Sequence, residues 1–410
     1  VKENDIDAVI AGHLCLDIFP EFINGKETYL DDLFVPGKLV NIGGMRICTG
    51  GAVSNTGIAM HILGARVSLM ANVGDDFIGK AILNFLKSKG PAEGIKTVKG
   101  EFSSYTIVIA PKDTDRIFLH NPGTNDSFCY DDINFDLLKN AKLFHLGYPP
   151  LMKKLYENNG EELKRIYEKA NELGVVTSLD FALPDPNSPS GNVDWNAVLK
   201  NVLPYVDIFF PSVEEAQFIL DKKKFLKMRE RAKGKELLHL FEGDELAKLS
   251  DKLLDYGSKI VGLKCGTRGL YMKTASKKKI KSIGGIDHDN WSERELWEAS
   301  YRAEKFVSAA GAGDSAIAGF LAALLQGETI EKCLKYASMC GAENVQAMDT
   351  ISGIKNWKET TRKIKSGWKK NYLKVLTVGW KFDRERELWY GPGDKNNNAH
   401  GLLHKHKVKK

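Results

Sequence analysis

The chain has 410 residues, 43% of them hydrophobic and 27% charged, with a formal net charge of +6. Its apolar content fills one large core or two modest ones, and no uncharged apolar run approaches the roughly 18 to 20 residues that span a bilayer, so a soluble cytoplasmic protein is expected. Six cysteines, Cys15, Cys48, Cys129, Cys265, Cys333 and Cys340, form no C-x-x-C pair, which argues against a disulfide scaffold or a structural zinc site.

From the amino end, a run apolar on both faces predicts a first strand at 8–11. Residues 19–48, with a strand-like run at 38–42, read as a hairpin with polar turns, and so do residues 102–120, with runs at 105–109 and 116–119. A helix is predicted over 53–63, stopped by Gly64, and a strand over 67–71. Further buried strands follow at 143–146, 175–179, 208–210 and 260–263. Residues 222–252, dense in both charge signs, read as one or two exposed amphipathic helices inserted into the core fold. A last strong helix spans 315–326, stopped by Gly327. This alternation predicts an α/β fold with a largely parallel sheet.

After Gly353 the periodicity weakens, and 391–398 read as a turn or disordered stretch. Residues 355–410 hold 16 Lys plus Arg against 5 Asp plus Glu, so the rest of the chain is mildly acidic. The tail's lysines are interleaved with Trp357, Trp368, Tyr372, Trp380 and Trp389. A solvated surface extension is the preferred reading, and nucleic-acid binding is the alternative. The pentapeptide Glu-Arg-Glu-Leu-Trp at 293–297 and 385–389 is read as chance, because nothing around either copy extends the match.

The sharpest local feature is the glycine turn Gly311, Ala312, Gly313 running through Asp314 into a helix with Ile317, Phe320, Leu321 and Leu324 on one face. Small residues at a helix start leave amides exposed, and these, with the helix dipole, suit an anion. Asp314 in the first turn is either an N-cap or the acceptor of a proton from a hydroxyl. The glycine pattern comes late in the chain and carries an acid where a pyrophosphate would sit, which speaks against a dinucleotide site. Residues 74–81 nearly spell a P-loop but lack its Ser or Thr. Asp17, after the first strand, and Gly50, Gly51 and Asn55, at the opening of the 53–63 helix, fall where an open α/β sheet binds ligands and can jointly hydrogen-bond a polyol.

Three motifs carry a family resemblance: 49–55 with 63–65, 74–79, and 311–314 with its helix. Over about residues 5–353 the chain resembles a ribokinase-like (PfkB) carbohydrate kinase. The resemblance implies a three-layer α/β/α sandwich around a mostly parallel sheet, with the two hairpins forming a small β-sheet lid that closes over substrate. It implies ATP and Mg2+ as cofactors and a small sugar as substrate. Asp314 would be the base, and the amides of Ala312, Gly313 and Asp314, entered through Gly311, the anion hole. Asp17, Gly50, Gly51 and Asn55 would face the sugar. Lys264, Gly266, Thr267 and Gly269 resemble the nucleotide loop, Asn344 falls where such kinases contact adenine, and Glu215 keeps a carboxylate of the magnesium network. The kinase domain would be 1–353 and residues 354–410 an extension without assigned role; exposed lid strands imply a homodimer.

The departures are informative. Ser212 stands where the family usually has Asn in its metal network. Residues 308–310, Ser-Ala-Ala, replace the usual Asp-Thr-Thr, which argues against a monovalent cation. Ala52 replaces a Lys of ribokinases proper, which argues against ribose. Asp180 with 184–187 resembles an expanded Asp-Pro-Asn stretch. Two alternatives stay open: a nucleoside or sugar-phosphate kinase, with Arg46, Lys112 and Arg116 available to a second phosphate, and a sugar-binding regulator that has lost catalysis.

Overall fold

A computed structural model describes residues 6–22, 33, 35–109, 117–233 and 236–397. Its main sheet has 11 strands in the order β14-β15-β13-β12-β11-β10-β9-β8-β1-β4-β5. Seven are mutually parallel: β1 (Ile6–Gly12), β4 (Val67–Gly74), β5 (Ile95–Val98), β8 (Ala141–Gly147), β9 (Val176–Asp180), β10 (Ile208–Phe210) and β11 (Ile260–Lys264). Then β12 (Leu270–Thr274), β13 (Glu295–Glu298), β14 (Lys381–Asp383) and β15 (Leu388–Tyr390) continue it antiparallel. Every strand expected in this sheet is present.

Strand alternation divides the core into two layers. Ala8 and Ile10 of β1 face one apolar cluster, while Val9 and Ala11 face the other. The first cluster is closed by helices α1 (Ala52–Ile62), α2 (Phe77–Lys89), α8 (Ala312–Leu325) and α9 (Ile330–Asn344). The second is closed by α3 (Glu161–Glu172), α4 (Trp195–Val202), α5 (Val213–Leu220) and α7 (Gly243–Asp255). The result is the expected three-layer sandwich with its small second sheet. That sheet, in the order β3-β2-β6-β7, consists of β2 (Cys15–Pro20), β3 (Met45–Gly50), β6 (Tyr105–Ile109) and β7 (Ile117–Asn121).

Three expectations need correction. The run at 38–42 is not a strand; the partner of β2 begins after Gly43 and Gly44, whose backbone closes the hairpin on Glu21. Within 222–252, helix α6 (Lys222–Ala232) buries only Phe225, as expected of an exposed helix, but α7 is a core layer whose Leu246, Leu249, Leu253 and Leu254 are buried. The tail is not a solvated extension: Leu373, Trp380, Leu388 and Tyr390 are buried, and β15 pairs with β13. Residues 391–397 form turns, the first of the two readings given for that stretch, with Asp394 and Asn397 buried. The two pentapeptide copies meet on these neighbouring strands, with Trp297 opposite Trp389.

Part of the tail's charge is spent on the core. Beyond α10 (Trp357–Lys365) comes an irregular stretch that leads to β14. Lys363 pairs with buried Glu343 of α9 at 3.2 Å, and Lys370 with fully buried Glu298 of β13 at 2.5 Å. Asp394 accepts from Arg294 Nε at 3.0 Å, and neither side chain has any exposed surface.

Candidate active site

Helix α8 begins at Gly311, whose φ of 72° is left-handed and so favours glycine. The turn before it is tight, with Ala312 N–H donating to Ala309 O at 3.2 Å. Ala312 is therefore engaged within the turn. The first amides of a helix have no acceptor within it, which leaves Gly313 and Asp314 as the donors aimed along the dipole.

Asp314 is 2% exposed. Its Oδ2 accepts from Asn55 Nδ2 at 2.9 Å, and Tyr148 Oη reaches Oδ1 at 2.7 Å and Oδ2 at 2.8 Å. Burial pushes its pKa up, opposed by Asn55, by the charge of Lys264 and by Tyr148. Asn55 stands on α1 in the turn that starts at Gly51. Gly51 has φ 90°, and a Cβ there would fall 2.4 Å from His13 O and 2.6 Å from His13 Nδ1, so no other residue fits. At Gly50 a Cβ would fall 2.1 Å from Asp17 Oδ2, so a side chain there would displace the Asp17 carboxylate. Asp17, Gly50, Gly51, Asn55 and Asp314 thus form one continuous wall at the carboxyl ends of the strands. Cys15 Sγ donates to Asp17 Oδ1 at 3.3 Å, and burial raises the Asp17 carboxyl.

On the other side of Gly313, Lys264 leaves the end of β11. Its Nζ lies 3.6 Å from the position of a Cβ on Gly313, close enough to share an anion with that helix start. It forms an ion pair with Asp180 Oδ1 and lies 4.0 Å from Glu215 Oε2. Burial pushes Asp180 up to about 7 despite Lys264, and raises Glu215 as well. Lys264 itself is raised: burial acts to lower it, but Asp180 and Glu215 outweigh that.

Three buried carboxylates around one lysine leave an excess of negative charge, and Asp180 Oδ2 is buried without a hydrogen-bond partner among the described residues. Hard oxygen donors of this kind fit magnesium, which is held through one or two carboxylates plus substrate phosphates and water. Among the described residues no ready cluster of three or more metal ligands occurs, as that mode of binding allows. Ser212 accepts from Glu215 N at 3.1 Å while Glu215 Oε2 accepts from Ser212 N at 2.6 Å, a capping box for α5. One oxygen of Glu215 is therefore committed to the helix, and Ser212 serves as cap where an amide was expected.

The nucleotide-loop residues form a single turn after β11. Gly266 and Thr267 are exposed, and Thr267 O accepts from Ser300 Oγ at 2.5 Å. Gly269 packs too close to Glu298 O to admit a side chain. Asn344 is a correction: it is fully buried, and its Nδ2 donates to Ala310 O at 2.7 Å. It fastens the turn before the anion site and presents no surface to a base. Arg46 is exposed opposite Phe19, on the same face of the sheet as Asp17 and one pair further along; Lys112 and Arg116 lie outside the described residues.

Sequence reasoning missed Tyr148 and His13. Tyr148 has φ 66°, an unusual value for a non-glycine residue and a common mark of functional sites. Both follow directly on carboxyl ends of parallel strands, β8 and β1, and that position was the available signal.

A carboxylate held beside free helix-start amides and a lysine, under a β lid, defines a small-molecule kinase. The sequence matches the pfkB family carbohydrate kinase pattern over residues 26–357, and the chain belongs to that family. It is 25% identical over 340 residues to fructokinase-2 of Solanum lycopersicum, covering 80% of this chain and 91% of that one. It is 26% identical over 303 residues to an ATP-dependent ribose-1-phosphate kinase of Halopiger xanaduensis, covering 74% and 82%. The fold matches Arabidopsis thaliana ribokinase complexed with ribose and ATP, with a TM-score of 0.66 at 18% identity over 88% of this chain and 99% of that one. It also matches a putative ribokinase II from E. coli in complex with ATP and magnesium, with a TM-score of 0.64 at 19% identity over the same shares.

Proposed function

We propose that this protein transfers the γ-phosphoryl group of Mg-ATP to a hydroxyl of a sugar, with Asp314 as the base. The observation that carries this reading is the Asp314 carboxylate, held by Asn55 and Tyr148 beside the amides of Gly313 and Asp314 and the ammonium of Lys264. The acceptor oxygen attacks the γ-phosphorus, its proton passes to Asp314, and the bond to the ADP oxygen breaks. Negative charge on the transferring group is met by the two amides and Lys264, so positioning and charge stabilisation supply most of the rate. Asp180 and Glu215 would hold the hydrated magnesium of Mg-ATP, which supplies charge neutralisation at the phosphates. Gly266, Thr267 and Gly269 border the nucleotide, while Asp17, Gly50, Gly51 and Asn55 border the sugar.

The lid strands β2, β3, β6 and β7 close over that side and exclude water. Met45, Ile47, Phe118 and Leu119 expose apolar surface on this sheet, which supports a homodimer through the lid. Sedimentation equilibrium is expected to give twice the chain mass; a monomer at micromolar concentration would contradict it. Residues 308–310 lack the side chains of a monovalent-cation site, so the rate should not depend on potassium. The described residues include no helix long and apolar enough to cross a membrane, which is compatible with a cytoplasmic enzyme.

Coupled ADP detection tests the reading. Release of ADP from Mg-ATP should rise at least tenfold when one of D-fructose, D-ribose or a related sugar is added, and chelating magnesium should abolish it. ADP release indifferent to every sugar would favour a non-catalytic sugar-binding protein.

A further inference from the structure

His13 follows β1 and is 2% exposed, yet among the described residues neither of its ring nitrogens has a hydrogen-bond partner. Such a vacancy is uncommon, because buried polar side chains are almost always satisfied. His145, equally buried on β8, has at least its Nδ1 engaged, 3.0 Å from Ser178 Oγ.

The position of His13 explains the difference. Its ring centroid is 5.3 Å from that of His120 on lid strand β7 and 6.0 Å from that of Tyr148, whose hydroxyl rests on Asp314. Gly51, opposite, has no side chain to offer a partner. His120 is fixed by Thr106 Oγ1, 3.0 Å from its Nδ1, and Thr106 is the register neighbour of Asp17. His13 therefore stands among Asp17, Gly51, His120, Tyr148 and Asp314, where the sugar side of the site meets the lid.

We infer that His13, backed by His120, is a specificity-determining ligand for sugar hydroxyls and that the acceptor is a neutral polyol in preference to a phosphorylated sugar. This rests on the kinase reading above. Burial holds the His13 imidazole well below its ordinary pKa, so it offers one donor and one acceptor and no positive charge, and His120, more exposed, is shifted in the same direction. A hydroxyl can both give and take a hydrogen bond, which matches a neutral imidazole on either side. A phosphate or carboxylate substituent gains no charge pairing from such rings. Among the described residues the carboxylates of Asp17 and Asp314 stand on this side and would repel it, while Lys264 is paired with Asp180 and Arg46, on the lid face of Asp17, is exposed.

The test uses the full chain, with His13→Phe, which keeps the ring volume and removes both nitrogens, and His13→Gln, which keeps a donor and an acceptor. Steady-state kinetics would be measured with D-fructose, D-ribose, fructose 6-phosphate and ribose 1-phosphate. The wild type should prefer a neutral sugar. His13→Phe should raise KM for that sugar roughly 10- to 100-fold with KM for ATP within about twofold. His13→Gln should recover part of the loss. If His13→Phe does not fold, the Gln variant and His120→Phe carry the same comparison. Sugar-stimulated ADP release by the wild type, combined with an unchanged sugar KM in the variants or a preference for the phosphorylated sugars, overturns this inference alone. No stimulation of the wild type by any of the four overturns the kinase reading beneath it.

Discussion

Asp314→Asn should lower kcat on the order of 10³-fold while the protein still binds ATP and melts no earlier than the wild type. The loss follows from chemistry: an amide keeps the shape and the contacts with Asn55 and Tyr148 but cannot take the proton of the attacking hydroxyl. The unchanged or higher stability follows from linkage. Burial raises the folded pKa of Asp314 above its ordinary value of 3.8. A carboxyl of that kind binds its proton more tightly in the folded chain than in the unfolded one. Its contribution to stability is favourable at low pH and is lost as pH rises from the unfolded value through the folded one. At neutral pH the buried carboxyl therefore costs stability relative to low pH, and a neutral isostere relieves that cost. Turnover and thermal melting measured on the same preparation separate the two effects. Activity within tenfold of wild type would remove Asp314 from the role of base.

Deleting the tail should have the largest effect on folding. Cutting after residue 357 removes Lys363 from Glu343, Lys370 from Glu298 and Asp394 from Arg294, and the three core partners are 1%, 0% and 0% exposed. Leaving one partner of a buried ion pair alone costs about 3–5 kcal/mol, against a total stability of roughly 5–15 kcal/mol for a domain. The truncated chain should be insoluble. A gentler version is Asp394→Ala, which strips Arg294 Nε of its acceptor and the Glu295 amide of its 2.9 Å bond while leaving Glu331 on the guanidinium at 2.7 Å. Its urea midpoint should fall by an amount equivalent to about 3 kcal/mol. A soluble 1–357 chain with wild-type melting would return the tail to the status of an appendage.

These two regions also mark where sequence was a good guide and where it was not. The parallel strands were legible because each is buried on both faces and reads as a short apolar run between helices. Asp314 was legible because its glycine turn, its helix and the 49–55 motif all point to one crevice. The tail was not. Strands β14 and β15 are three residues each, too short for a period, and the partners of their basic neighbours lie far back in the chain. A lysine read locally is solvated; only the fold shows that Glu298 is waiting for it. Tyr148 and His13 escaped for a related reason, since a single ring after a strand has no spacing to reveal it. Asn344 was legible as an important position, but its amide points into the protein to Ala310 O.

The most direct test of the central claim is ³¹P NMR of a mixture of protein, Mg-ATP and a neutral sugar identified by ADP release. The account predicts loss of the γ-phosphate signal, matched one for one by β-ADP and a new phosphomonoester resonance, with none of this in Asp314→Asn. Formation of ADP with inorganic phosphate as the only other phosphorus product would contradict it.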